Sequence, residues 1–291
     1  MKNKENQKSG LVHLDLGESF EILTGHGGVK KLFLKRFTKD ELWRMSEKIG
    51  LVSHLNKKGF DKLILDIDVD DTRINYFNLY MKEKRPENRL LDVRLSETLF
   101  LPDKKFFKEG STVTPYEMIN IEWISARNPY MNFSSDRPQL PGQESPGLGI
   151  LKYCFRMIYL MASEIVKDGF MDVPDHMHGA IMYSPDFKFF DPVHEAILRA
   201  VMRDLKKYSI SDISWGIITS TVIEKYSGRP QVYDPCEQVH SVSRSMGKYF
   251  RSDLYRDTFK KYYNRKRYYL DYPEMKRRRE DILFKKRTEN L

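Results

Sequence analysis

The residues whose types and spacing could do chemistry begin with Gln139-Leu140-Pro141-Gly142-Gln143-Glu144-Ser145-Pro146-Gly147-Leu148-Gly149. Glycine has no Cβ, so a ligand can approach the backbone N–H groups beside Gly147 and Gly149. A helix beginning there would add the positive end of its dipole, and the two together suit a phosphate or pyrophosphate. An ordinary tight loop ahead of a core helix has the same composition. Gly25-His26-Gly27-Gly28 lacks the Gly-Lys-Ser/Thr ending of a nucleotide-binding P-loop and reads as a turn. His176 and His178 with Asp172 and Asp175 have zinc-compatible ligand types, but in a helix positions i and i+2 face apart, so a polar cleft wall is favoured and no metal is assigned. Asp66, Asp68, Asp70 and Asp71 lack the glycine and distal glutamate of a calcium loop and read as a solvated strand face and turn. There is no Gly-x-Ser-x-Gly elbow, and neither Cys154 nor Cys236 has an activating local signature, so both read as reduced, structural thiols.

The elements that must position these residues follow from hydrophobic period. Past the glycine loop, Ile150, Leu151, Cys154, Phe155, Ile158, Met161, Ala162 and Ile165 recur every three or four residues, with Lys152, Arg156 and Lys167 turned elsewhere. Ser145 is expected to cap this helix and Pro146 to open it. Upstream, Thr38 to Glu41 resembles a capped start, and Leu42, Met45, Ile49, Val52 and Leu55 give one amphipathic helix ending near Gly59. Residues 11–16 and 20–23 are short candidate strands, and 63–69, 74–80, 90–100 and 118–125 are longer ones. Ile119, Ile121 and Trp123 share one parity of the last strand and Glu122 lies on the other. Downstream a strand is expected at 169–173, a helix at 175–183, a strand at 187–190 and a helix at 194–208.

At 291 residues, 40% of them apolar, the chain can bury a sizeable core. No apolar run approaches the roughly 20 residues of a membrane span, and residues 1–10 read as a disordered lead-in without a signal peptide, so a cytoplasmic protein is expected. Charge is unevenly placed: residues 248–291 hold 15 Lys and Arg against 7 Asp and Glu, a net +8 of the chain's +9.

The order of helix, antiparallel strands, glycine loop, long helix, short strand, short helix and aromatic strand resembles the GNAT superfamily of acetyl-coenzyme A-dependent N-acyltransferases. Glu144-Ser145-Pro146-Gly147-Leu148-Gly149 is similar to that family's Arg/Gln-x-x-Gly-x-Gly/Ala loop, with Glu144 in the Arg/Gln position. His176 to Tyr183 resembles its Asn-x-x-Ala-x-x-x-Tyr helix, with His176 for Asn and Gly179 for Ala, and Phe187-Lys188-Phe189-Phe190 stands for its Gly-Phe strand without the glycine. The resemblance implies an α/β fold, a mixed, mostly antiparallel central sheet flanked by helices. The domain would span 11–192, with a helical basic extension over 193–291. It implies acetyl-CoA or another acyl-CoA as co-substrate, held by Gln143, Ser145, Gly147, Leu148, Gly149, Ile150 and His176, and a small-molecule or peptide amine as acceptor.

Such a reaction needs an ammonium deprotonated and a thiolate reprotonated. Tyr183 matches the family's general-acid position, and a phenol with pKa of about 10 carries its proton at neutral pH. Glu122, on the strand before the loop, is the candidate base. Transfer from aminoacyl-tRNA or an acyl carrier, and a non-catalytic binding protein on the same fold, are the alternatives. The tail's interleaved Tyr and Lys/Arg would suit RNA contact, but a tail packed onto the domain by its tyrosines, with the cations solvated, is the favoured reading.

Overall fold

The computed structural model describes residues 11–12, 32–70, 73–134, 137–162, 164–165 and 167–285. The expected lead-in at 1–10, strand at 20–23, turn at 25–28 and Asp71 lie outside these residues. The chain is mixed α/β, with mostly antiparallel strands flanked by helices. It divides into two compact units, Met1–Ala126 with Gly149–Phe170, and Arg127–Leu148 with Met171–Leu291. These cut across the expected boundaries at 11–192 and 193–291.

In the first unit β1 (Leu11–Val12) pairs antiparallel with Leu99 and Phe100. Helix α1 (Lys39–Lys48) opens with a complete capping box, Glu41 N–H donating to Thr38 Oγ1 and the Glu41 carboxylate accepting from Thr38 N–H at 2.8 Å. The single helix expected over 38–58 is two. Gly50 takes φ +83 and ends the first, and α2 (Leu51–Lys57) restarts after it, because a left-handed residue cannot continue a right-handed helix.

The strands β2 (Leu63–Asp68), β3 (Ile74–Met81), β4 (Arg89–Phe100) and β5 (Tyr116–Ala126) then form an antiparallel meander. One face is apolar: Leu65, Phe77, Leu79, Leu91, Val93, Leu95, Ile119 and Ile121 are buried. Helix α3 (Leu151–Ala162) covers it, its Cys154, Met157, Ile158 and Met161 lining a narrow apolar gap with Phe77, Leu91, Val93 and Leu95. Lys152 and Arg156 are exposed, as the stripe predicts. The helix starts at Leu151, so Ser145 and Pro146 are not its cap and first residue. Pro146 instead gives its carbonyl to Asn128 N–H at 2.7 Å, and Gly149, at φ +68, separates them from the helix.

Strand β6 (Gly169–Asp172) begins in the first unit and ends in the second. The second unit holds α4 (Met177–Tyr183), β7 (Lys188–Phe189), α5 (Pro192–Asp204), α6 (Ile210–Ile218), β8 (Val222–Glu224), β9 (Gln238–Ser241), α7 (Arg244–Phe250), α8 (Asp253–Arg265), β10 (Tyr268–Leu270) and α9 (Tyr272–Phe284). Antiparallel pairs β7–β9 and β8–β10 tie distant stretches together. The core gathers Met177, Ala180, Phe189, Leu198, Val201, Trp215, Val222, Tyr268 and Met275.

The basic tail is part of that core. Tyr249, Tyr255 and Tyr268 are buried, their hydroxyls donating to Phe190 O at 2.7 Å, Phe189 O at 2.9 Å and Gln231 Oε1 at 2.9 Å. Arg203 of α5 binds Tyr263 O and Lys266 O while its guanidinium lies over the Tyr263 ring at 4.4 Å. Arg277 and Arg278 share Glu274, and Arg278 also donates to Thr219 O at 2.7 Å. Tyr269, half exposed, is the exception among the tail's tyrosines. Tyr255→Phe leaves a buried carbonyl without its donor and is expected to cost about 1 kcal/mol of unfolding free energy; an unchanged denaturant midpoint would mean the tail contributes nothing through this contact.

Candidate functional site

Strand alternation makes the two faces of the first unit's sheet different. Residues opposite each other across a ladder share a face, so Asp66, Asn78, Asp92 and Ser125 form one row and Asp68, Tyr76, Arg94 and Trp123 the next. Ser96 and Asn120 form a third. The apolar side of the same strands is closed by α3, so the polar groups are collected on the other side.

The register of β4 on β5 shifts between Arg94 and Leu95. Arg94 faces Trp123 and Leu95 faces Ile121, which leaves Glu122 as the extra residue of a β-bulge. The bulge corrects the expected parity. Ile119 and Ile121 are buried, but one inserted residue turns Trp123 to the opposite face, where it is 47% exposed. Glu122 is exposed and accepts a hydrogen bond from Ser96 Oγ. Beside it Arg94 lies 5.6 Å from the Tyr76 ring centroid and 5.8 Å from that of Trp123. Asp92, only 3% exposed, holds the guanidinium through two hydrogen bonds and keeps its pKa above the usual arginine value. Thr98 Oγ1, Asn78 Oδ1 and Asn120 Oδ1 are buried with no hydrogen-bond partner.

The glycine loop has a different construction from the expected cradle. Gln143 turns inward: its Oε1 accepts from Leu140 N–H and its carbonyl accepts from the Gln139 amide at 2.6 Å. Gln139 O in turn takes the Trp215 indole N–H at 2.7 Å and Ser211 Oγ. The loop is thus pinned to α6, a contact that no local sequence signal announces. Leu148 and Ile150 are buried, Ser145 and Gly147 half-buried, and Glu144 exposed. Gly149 is open: a Cβ built there meets nothing within 4 Å. The glycine required by close approach is Gly142, at φ +71, where a Cβ would lie 2.8 Å from His176 Nε2.

His176 and His178 do converge, contrary to the helical argument. His176 is the N-cap of α4, with extended φ −131 and ψ 151, so the helical rotation between i and i+2 does not apply. The rings stack at 5.2 Å, and His178 Nδ1 lies 3.0 Å from Ser214 Oγ. Among the described residues no group of three or more His, Cys, Asp or Glu is placed to hold a metal ion. Asp66 pairs with Lys84 at 2.7 Å, and Asp68 accepts from Asp70 N–H. Tyr183 is buried at the end of α4, edge-on to Phe187 at 5.3 Å. Of the sequence-predicted site, Glu122, Gly149 and Ile150 belong to the first unit; Gln143, Ser145, Gly147, Leu148, His176 and Tyr183 belong to the second.

No protein-family model, no curated protein and no solved structure matches the chain. No helix among the described residues is long and apolar enough to cross a membrane.

Burial lowers the pKa of His176, and burial and then the neighbouring His176 charge push His178 down to about 4. His178 is neutral in the folded state near pH 6, whereas unfolded histidine protonates at about 6.5. The unfolded chain therefore binds more protons below that value. Between pH 7 and 5 the His178 contribution to stability falls by about 2 kcal/mol. His178→Gln is expected to flatten the slope of unfolding free energy over this range; an unaltered slope would contradict the buried neutral imidazole.

Proposed function

We propose that the chain moves an acyl group from an acyl-coenzyme A to an amine by direct attack. The observation that carries this reading lies within one compact unit: a strand bulged at Glu122, a carboxylate that no cation pairs among the described residues, and the open Gly149 two residues ahead of α3. Bulges re-aim side chains and are frequent beside active sites. The order α1, α2, β2 to β5, glycine loop, α3, β6, α4 and β7 is also the order the GNAT resemblance requires.

Acyl-coenzyme A supplies a thioester whose C–S bond breaks as the C–N bond to the amine forms. The first N–H groups of α3 have no intrahelical acceptors and carry the positive end of its dipole, which fits a pyrophosphate above Gly149. The Glu122 carboxylate takes the proton that the acceptor ammonium must lose before its nitrogen can attack. Ser96 Oγ, bonded to that carboxylate, fixes which oxygen remains available. Tyr183, in the second unit, is the proton donor to the departing thiolate on the resemblance alone. The tail offers less support for an RNA-borne donor, since most of its tyrosine rings are engaged in packing.

Calorimetric titration with acetyl-CoA and longer acyl-CoA species tests the donor site. Valine at Gly149 would add backbone strain at positive φ, so Gly149→Asn, which tolerates that conformation, is the cleaner variant. It is expected to weaken coenzyme binding at least about tenfold, roughly 1.4 kcal/mol, with an unchanged unfolding midpoint. Equal affinity in a folded Gly149→Asn chain would take the donor away from this loop. Tyr183→Phe is expected to lower turnover by about 10²- to 10⁴-fold while leaving acyl-CoA affinity unaltered; turnover at the wild-type rate would make Tyr183 a core residue only.

A further inference from the structure

The densest basic run of the chain is largely spent on its own neighbours. In α9, Arg277 and Arg278 share Glu274, Arg279 lies 3.9 Å from Asp212, and Lys276 sits over the Tyr272 ring at 4.8 Å. Lys225 and Arg229 differ. Both are exposed, and among the described residues neither has an ion pair. They flank the small sheet of β8 and β10 in the second unit.

That sheet has two unlike faces. Val222, Glu224, Tyr268 and Leu270 are buried. Tyr269 pairs with Ile223, and Ile223 bridges to Pro230 on its other side. Residues opposite each other share a face, so Tyr269, Ile223 and Pro230 form one row across the outer side. Tyr269 is 50% exposed there, and Pro230 is exposed as well. Next along, Lys225 N–H donates to Arg267 O at 2.7 Å, which carries the pairing on to a turn. The Glu224 carboxylate holds that turn, accepting from Tyr226 N–H at 3.2 Å and Ser227 N–H at 2.9 Å. Gly228, at φ +65, donates back to Glu224 O. A buried carboxylate thus fixes the loop that presents Tyr226, 74% exposed, between Lys225 and Arg229. At the opposite end of the sheet Asp271 accepts from Glu274 N–H as the cap of α9, so the free positive charge collects at the turn.

Two exposed phenol rings beside two unpaired cations on a pre-formed surface fit one kind of partner. Aromatic rings stack on bases whatever the sequence, and cations neutralise the phosphates between them. A duplex hides the faces of its bases, and an acidic peptide brings charge without bases to stack. We infer that the outer face of β8 and β10 binds a single strand of nucleic acid, its bases on Tyr269 and Tyr226 and its phosphates at Lys225 and Arg229. Ile223 and Pro230 give the apolar floor between them. The surface lies wholly within the second unit and does not depend on the acyl-transfer reading.

Fluorescence anisotropy of the full chain with a labelled uridine decamer tests this, against a short RNA duplex and decaglutamate. The decamer is expected to bind at least about tenfold more tightly than either. Tyr269→Ala is expected to weaken it at least about fivefold, the low end for base–ring stacking. Should that change lower the unfolding midpoint, Tyr226→Ala in the exposed turn replaces it. Lys225→Gln combined with Arg229→Gln should flatten the plot of log affinity against log salt by about 0.7 for each cation removed. Arg277→Gln, at a cation already paired, should leave that slope unaltered. Equal binding of the duplex or decaglutamate, undiminished affinity in the folded tyrosine variant, a slope flattened as much by Arg277→Gln as by the paired change, or no binding of the decamer overturns the inference.

Discussion

The structure of the first unit depends on strict alternation across β4 and β5, broken at one residue. Up to Ile121 the ladder sends Ile119 and Ile121 into the apolar layer under α3. One more residue in β5 than β4 can pair with leaves Glu122 outside the ladder, and every later side chain of that strand changes face. Without the bulge, Glu122 would be an ordinary strand residue. With it, a carboxylate and a large aromatic ring stand next to each other on the polar side, over Ser96 and Arg94. Asp92 matters here because it holds Arg94 in place, so the guanidinium serves as a fixed platform between Tyr76 and Trp123.

A different constraint governs the second unit. Its strands are short and pair across long sequence separations, and side-chain hydrogen bonds close those distances around the apolar core. Tyr249 and Tyr255 fasten the tail to the Phe189-Phe190 backbone, and Arg203 gathers two carbonyls of the segment after α8. The Trp215 indole fixes Gln139, and with it the first half of the glycine loop. Much of the tail's excess charge is therefore attached to a packed scaffold, with Arg277 and Arg278 already matched by Glu274.

What was legible in the sequence was whatever depends on local period. The α3 stripe of Cys154, Phe155, Ile158 and Met161, the alternation of Leu91, Val93 and Leu95, and the Thr38–Glu41 capping box all follow from spacing that a single segment carries. The bulge was not legible, because an extra residue is defined only against the strand it pairs with. Treating Trp123 as a partner of Ile121 was the natural reading of β5 alone. Gly50 did carry a signal for the break between α1 and α2, and a long apolar pattern masked it. The histidines depart from the periodic argument for a related reason: periodicity applies inside a helix, and His176 is its cap. The segments that became α6, β8 and β9 gave mixed patterns, since they are shaped by long-range pairing and by the core around Trp215. Of the candidate site, residue types were readable, and the company each keeps was not.

The central claim, acyl transfer at the bulged strand, is tested most directly by following free thiol released from acetyl-CoA in the presence and absence of primary amines. Release should require both protein and amine, form the matching amide in equal amount, and fall at least about a hundredfold in Glu122→Gln, in the range expected for loss of acid–base catalysis. Thiol release that is independent of the amine, or that continues undiminished without the Glu122 carboxylate, would contradict it.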